Sequence, residues 1–442
     1  MRALRPFAVC LALLAPCAGG VSSAQTPAAR PPNVIVILAD DLGYGDIGAF
    51  AETPIATPRL DAMAAEGAML TDFYASANVC TPSRAGLLTG RYPMRTGLAK
   101  SVLFPDAETG LPPEEITIAE LLKARGYATL QVGKWHLGSK PPFWPTSQGF
   151  DEFFGVPYSN DMSPFRLYRG TEIVEEPVDQ ASLTRRYTDE AIAFIETHRD
   201  GPFFVYLAHT FPHYPLHSAP PFEGTSKAGL YGDTVEEIDA STGRILDALK
   251  ALGLDDDTLV LVTSDNGPWF EGSAGPYRAR KGATHEGSFR VPFIARWPGH
   301  IPPGTRSAAM AMNIDILPTV AALAGVGLPE ARVIDGRDIW PLLQGAERSP
   351  HESLVFFVDD KIAALRTARW RYVVSTFYRT YLMPIEQYPY CCEFLFDMES
   401  DPSERYSRVR DQPGVVAQMR AELARATAEI TAPRLRATRA EG

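Results

Sequence analysis

Cys80 heads the segment Cys80-Thr81-Pro82-Ser83-Arg84, which continues Ala85-Gly86-Leu87-Leu88-Thr89-Gly90-Arg91. Pro82 suits the first position of a helix, Leu87 and Leu88 its buried face, and Gly90 its end. Cys80 then sits just before a helix N-terminus, where free backbone N–H groups and the helix dipole favour an anion. Arg84 lies one turn in, and helical side chains tilt back toward the N-terminus, so its positive charge is expected to hang over the sulfur. Taken alone, the segment also reads as a small residue capping a helix. Two acidic pairs, Asp40-Asp41 and Asp265-Asn266, offer only oxygen ligands, which suit Ca2+ or Mg2+ rather than zinc. Each pair alone also fits a helix cap or a turn. Lys134 and His136 stand two apart in Gly133-Lys134-Trp135-His136-Leu137-Gly138. On an extended segment they point the same way, and a cation and an imidazole in one pocket fit a charged oxygen ligand. His213 lies between prolines, in Pro212-His213-Tyr214-Pro215, which restrict the backbone around it.

The elements that must hold these residues are legible as apolar runs. Asn33 to Leu38 runs into Asp40-Asp41, Phe203 to Leu207 into His209 and His213, and Thr258 to Val262 into Asp265-Asn266. Thr117-Ile118-Ala119-Glu120 is a capping box whose helix stops at Gly126. Tyr127 to Val132 then reads as another strand, ending in Lys134 and His136. Val235, Ile238, Ile245 and Leu249 share a helical face before Gly253. Helices alternating with fully apolar strands imply an α/β fold, a mostly parallel sheet covered on both faces. In such sheets the site lies beyond the carboxyl ends of the strands, where these polar clusters fall. After about Gly345 the pattern changes. Leu354 to Val358, Ile362 to Leu365, Trp370 to Val374 and Glu393 to Phe396 predict a small antiparallel sheet, and Val415 to Ile430 a helix.

The Cys80 segment resembles the signature of the type I sulfatases, closest to the arylsulfatase A and N-acetylgalactosamine-6-sulfatase branch. The resemblance extends to Asp-Asp after the first strand, Asp-Asn-Gly after a later one, Gly-Lys-Trp-His-Leu-Gly and Pro-His-x-Pro. It includes Lys281-Gly282, matching a Lys-Gly-x-x-x-Glu-Gly element, although Arg278 and Arg280 are nearby cations that the sequence does not exclude. It ends at Phe396 to Glu404, an element of the C-terminal sheet. It implies an alkaline-phosphatase-like fold and hydrolysis of a sulfate monoester. It implies that an accessory sulfatase-maturing enzyme oxidises Cys80 to formylglycine (3-oxoalanine). It implies one divalent cation, usually Ca2+, held by Asp40, Asp41, Asp265, Asn266 and the modified Cys80. Arg84 is implied to hold the hydrated aldehyde and His136 to hydrogen-bond it. Lys134, Lys281 and His213 are implied to grip the sulfate. Gly155 to Asp161 resembles a segment of that branch with a substrate-facing serine, which falls on Ser159; Asn160 replaces its histidine.

The chain has 442 residues and a formal net charge of −11, which argues against general nucleic-acid binding but not against an anionic substrate met by local cations. Residues 1–24 read as a secretory signal: Arg2 and Arg5, an apolar stretch from Phe7 to Leu14, and Ser22-Ser23-Ala24 before the cut. The apolar stretch is too short to span a membrane. A leader at 25–32, a catalytic region at 33–345 and a C-terminal subdomain at 346–442 complete the expected organisation. Export to the periplasm or outside the cell follows. Cys10 and Cys17 would leave with the signal, and Cys391 and Cys392 make no disulfide framework; adjacent, they read as two buried free thiols, with a strained vicinal bridge as the alternative. Two rival functions stand beside the sulfatase: a formylglycine-dependent phosphonate or phosphate monoester hydrolase, and a non-catalytic binder of sulfated glycans. The binder predicts loss of a charge-handling residue, and none is missing. The identity of the sulfate ester and the oligomeric state are not readable.

Overall fold

The computed structural model describes residues 31–380, 383–388 and 393–431. The Asn33–Ala39 strand lies inside a ten-stranded sheet, paired in parallel with Phe203–Ala208 on one side and Thr258–Ser264 on the other. Ala128–Lys134 and Glu152–Val156 extend this parallel core. Pairing turns antiparallel outside it, with Phe293–Arg296 against Thr258–Ser264 and Leu167–Arg169 against Glu152–Val156. The sheet is therefore mixed but mostly parallel at its centre, as the apolar runs require.

Alternation along the first strand shows why both faces are covered. Val34, Val36 and Leu38 enter one apolar cluster, whereas Ile35, Ile37 and Ala39 enter another. Helices Leu183–Thr197 and Gly229–Leu252 close the second cluster with Tyr187, Ile195, Val235, Ile238, Ile245 and Leu249. On the opposite face Leu87, Leu88, Ile118, Leu122, Leu317 and Val320 close the first, from the Cys80–Thr89, Ile118–Lys123 and Ile316–Leu323 helices. The capping box forms: Glu120 N–H donates to Thr117 Oγ1 at 3.2 Å and Thr117 N–H to Glu120 Oε2 at 2.8 Å.

Strands Ser353–Val358, Lys361–Thr367, Trp370–Val373 and Phe394–Asp397 make the expected four-stranded antiparallel sheet, and the Pro413–Thr431 helix packs on it. A two-stranded ribbon, Thr376–Thr380 with Met383–Tyr388, is an addition that the sequence pattern did not mark. Among the described residues no helix is long and apolar enough to cross a membrane. Residues 1–30, on which the expected signal and most of the expected leader fall, and Cys391 and Cys392, lie outside the described residues.

Candidate active site

The carboxyl ends of the parallel strands bring the predicted residues together. Asp40 and Asp41 follow Ala39, Lys134 closes Ala128–Lys134, His213 follows Phe203–Ala208, and Asp265 and Asn266 follow Ser264. Asp41 adopts a left-handed backbone (φ 66°), a conformation uncommon outside glycine and best tolerated by Asp and Asn. Gly133 turns the chain before Lys134 at φ 99°, where a Cβ would stand 1.9 Å from Ala208 O, so only glycine fits.

The helix bearing Cys80 starts two residues earlier than the proline pattern implies, running Cys80–Thr89 with Val79 as its cap. Pro82 is thus the third helical residue, a position whose N–H has no partner within the helix and loses nothing in proline. Gly90 ends the helix as expected, at φ 67°. Cys80 is 1% exposed, and its Sγ lies 3.2 Å from Lys281 Nζ, 3.7 Å from Lys134 Nζ and 3.5 Å from Asp40 Oδ1. Burial pushes its thiol far up, against both lysines, so the unmodified side chain is a neutral thiol and a poor nucleophile.

Arg84 does not simply overhang the sulfur. Its Nε donates to Asp265 Oδ2 at 2.9 Å and its Nη1 to Lys134 O at 2.8 Å, while Nη2 stands 3.5 Å from Asp40 Oδ1. The guanidinium ties three strand ends to the Cys80 helix. The cations nearest the sulfur are the two lysines. Lys134 Nζ also bonds Asp40 Oδ2 at 2.5 Å and Ser159 Oγ at 2.9 Å. Lys281 Nζ bonds both Asp41 oxygens, at 2.6 and 2.8 Å. Of the three neighbouring cations Lys281 is the one that reaches the sulfur; Arg280 caps carbonyls of Trp269 and Phe270 and Arg278 donates to Glu404 O at 2.9 Å.

Asp40, Asp41, Cys80 and His213 place one ligand atom each within 4.8 Å of one another. Asn266 Nδ2 donates to Asp41 Oδ1 at 2.7 Å, leaving its buried Oδ1 without a hydrogen-bond partner. Asp265 Oδ1 accepts from Asp41 N–H at 3.2 Å. An oxygen-rich donor set with one orphaned carbonyl fits a hard divalent cation. Burial alone would raise the Asp40 carboxyl, but Lys134, His213, Arg84 and Lys281 outweigh it and hold Asp40 well below the usual range. At Asp265, burial and the Asp40 charge win over Arg84, and the carboxyl is raised.

Lys134 and His136 do not share the expected extended segment, because the strand ends at Lys134. His136 has φ 60°, so the strand geometry breaks there; its Nε2 sits 3.0 Å from Leu103 O and its buried Nδ1 has no hydrogen-bond partner. Burial, then Lys134 and Arg84, keep the ring neutral. His213 Nε2 stands 3.8 Å from Asp41 Oδ2, and Nδ1 is 3.1 Å from Asn160 Oδ1. Burial and Lys281 keep it neutral too. In the sequence Asn160 stands out only as a departure from the family's histidine. It clamps the His213 loop, donating from Nδ2 to Pro215 O at 2.9 Å. No local signal marks that role, because its partner lies 55 positions away. His209 stays outside the cluster, 3.4 Å from Ser241 Oγ.

A family model named Sulfatase matches residues 32–326 of this sequence. The chain belongs to the sulfatase family. A second model, the C-terminal region of N-sulphoglucosamine sulphohydrolase, matches residues 277–430. Human arylsulfatase A is 42% identical over 78% of this chain and 75% of its own length. Dog N-acetylgalactosamine-6-sulfatase is 40% identical over 81% of this chain and 74% of its own. Mouse steryl-sulfatase is 38% identical over 80% and 72%. A solved sulfatase from Pseudoalteromonas sp. superimposes with a TM-score of 0.83 at 30% identity, covering 91% of each chain. A phosphonate monoester hydrolase from Agrobacterium radiobacter shares the fold alone, at 20% identity and a TM-score of 0.66 over 90% of this chain and 96% of its own. The protein is a sulfuric ester hydrolase of this formylglycine-dependent, metal-binding family.

Proposed function

We propose that this sulfatase hydrolyses the sulfate monoester of an aryl or sugar alcohol at Cys80, with Ca2+ or Mg2+ held by Asp40, Asp41, Asp265 and Asn266. The observation that carries the reading is the convergence of Lys134, Lys281 and Asp40 on one buried sulfur. Formylglycine made from Cys80 supplies the covalent nucleophile. The cation supplies charge neutralisation and polarises oxygen ligands. The remaining work falls to this chain's own side chains. Lys134 and Lys281 offer N–H donors to sulfate oxygens, stabilising charge that develops during transfer, while His213, its Nδ1 facing Asn160 Oδ1, turns Nε2 toward the same chamber and donates there once protonated. Ser159, bonded to Lys134, sets that ammonium and faces the substrate. Arg84 fixes Asp265 and the Cys80 helix. His136, with a free ring nitrogen, and Asp265, with its raised carboxyl, are placed to take protons at the release step.

Residues 1–24 we read as a signal for export to the periplasm or medium, and an accessory maturing enzyme as the partner that oxidises Cys80. We read 33–345 as the catalytic unit and 346–442 as its bracing subdomain. The test is the mass of the Cys80 peptide from protein secreted by its own host, with sulfate release from an aryl sulfate. Aldehyde in place of thiol, with sulfate released, supports the reading. An unmodified thiol in active protein overturns it. The shared fold also accommodates phosphonate hydrolysis, so rates on a sulfate and a phosphonate ester of one phenol separate those two reactions.

A further inference from the structure

Two cavities meet at Asp161. The smaller, about 130 Å3, is walled by Asp41, His213 and Lys281. The larger, about 890 Å3, runs past Phe104, Tyr158, Met162 and Tyr168. Asp161 lines both. The small chamber is on the scale of a sulfate group, whereas the groove has the size that accepts a drug-sized ligand. The groove gives what lies beyond the ester oxygen a path out of the chamber past Asp161. Its path is walled by aromatic rings, and Phe104 is 55% exposed. Such faces stack on the C–H faces of pyranose rings.

The charges of the groove are informative. Its two cations are already taken: Lys140 bonds Glu108, and Arg166 Nε bonds Glu176 at 2.7 Å. The Asp161 carboxylate has no ion pair or hydrogen bond among the described residues, and it is exposed. An unpaired carboxylate at the neck of a site that collects anions works against that site, unless it meets hydroxyl donors and repels further anions. Building on the function proposed above, we propose that Asp161 is a specificity residue selecting saccharides of two or more rings whose only anionic group is the sulfate being cleaved. Polysulfated chains and chains with uronic acids are disfavoured at the same point.

The experiment compares kcat/KM on a singly and a doubly sulfated disaccharide of one backbone at low salt. Wild-type protein is expected to favour the singly sulfated one by about ten-fold or more. Asp161→Asn should shrink that ratio by about ten-fold, Asp161→Glu should keep it, and added salt should erase most of it in the wild type alone. Phe104→Ala should raise KM for the disaccharide more than it lowers kcat. Equal cleavage of both disaccharides by the wild type, or a ratio unmoved in Asp161→Asn, overturns the proposal. Wild-type turnover of 4-nitrophenyl sulfate separates the two levels. Turnover with an unmoved ratio defeats the specificity claim alone, while absence of any sulfate release defeats the parent reading and this one with it.

Discussion

At the scale of single residues, the site concentrates opposite charges around one small side chain. Cys80→Ala removes the precursor of the nucleophile while leaving a small buried residue, so turnover should fall by on the order of 10^4 or more with little change in melting temperature. Calorimetry beside the assay checks both halves. Lys281→Ala takes away the ammonium that touches Asp41 and Sγ. Its kcat/KM should drop about 10²- to 10³-fold, the usual cost of one preorganised donor. A loss of only two- or three-fold would move the sulfate-binding role to the other cations.

At the scale of elements, the loop bearing Lys281 is held from the C-terminal sheet. Glu404, wholly buried, accepts from Glu286 N–H at 2.7 Å and pairs with Arg371 at 3.0 Å, and Arg371 in turn pairs with Glu286 at 3.0 Å. The brace joins the Trp370–Val373 strand to the segment that follows Lys281 by five positions. Glu404→Ala removes one of the two carboxylates paired with the buried Arg371 guanidinium and leaves the Glu286 N–H without its acceptor. Stability should fall by about 3–5 kcal/mol, and kcat should fall with it as the loop loosens. Urea unfolding together with turnover at low temperature, where the variant is still folded, distinguishes loss of the brace from loss of the fold.

At the scale of the whole molecule, pH and metal give the checks. Glu237 is buried on the Gly229–Leu252 helix, accepts from Ala219 N–H at 2.9 Å, and burial pushes its carboxyl up to about 7. A raised acid favours the folded state fully below its unfolded value near 4.5, and that contribution is lost as pH rises through 7. Glu237→Gln should therefore match wild type near pH 4.5 and exceed it by on the order of 2 kcal/mol at pH 8. Denaturation at the two pH values reads the difference; equal curves would mean that the carboxylate is hydrated. Removing divalent cations by chelation should abolish sulfate release, and Ca2+ or Mg2+ added back should restore it, with the better of the two naming the ion.

The parallel sheet, the capped helices, the C-terminal sheet and the residue types of the site are legible in the chain's own order of residues. Those follow from local pattern: apolar runs such as Asn33 to Leu38, the Thr117–Glu120 box, and motifs read within a few positions. Tertiary structure alone decided which charge meets which. Lys281 rather than Arg278 or Arg280 reaches the sulfur because the two arginines are consumed by loop carbonyls. Arg84 serves Asp265, 181 positions away, more than Cys80. His136 leaves the strand direction because its backbone turns left-handed. Asn160 and Glu404 gain their roles only from partners far along the chain. Pattern reports what a segment can bury, whereas pairing depends on where distant strand ends and loops arrive.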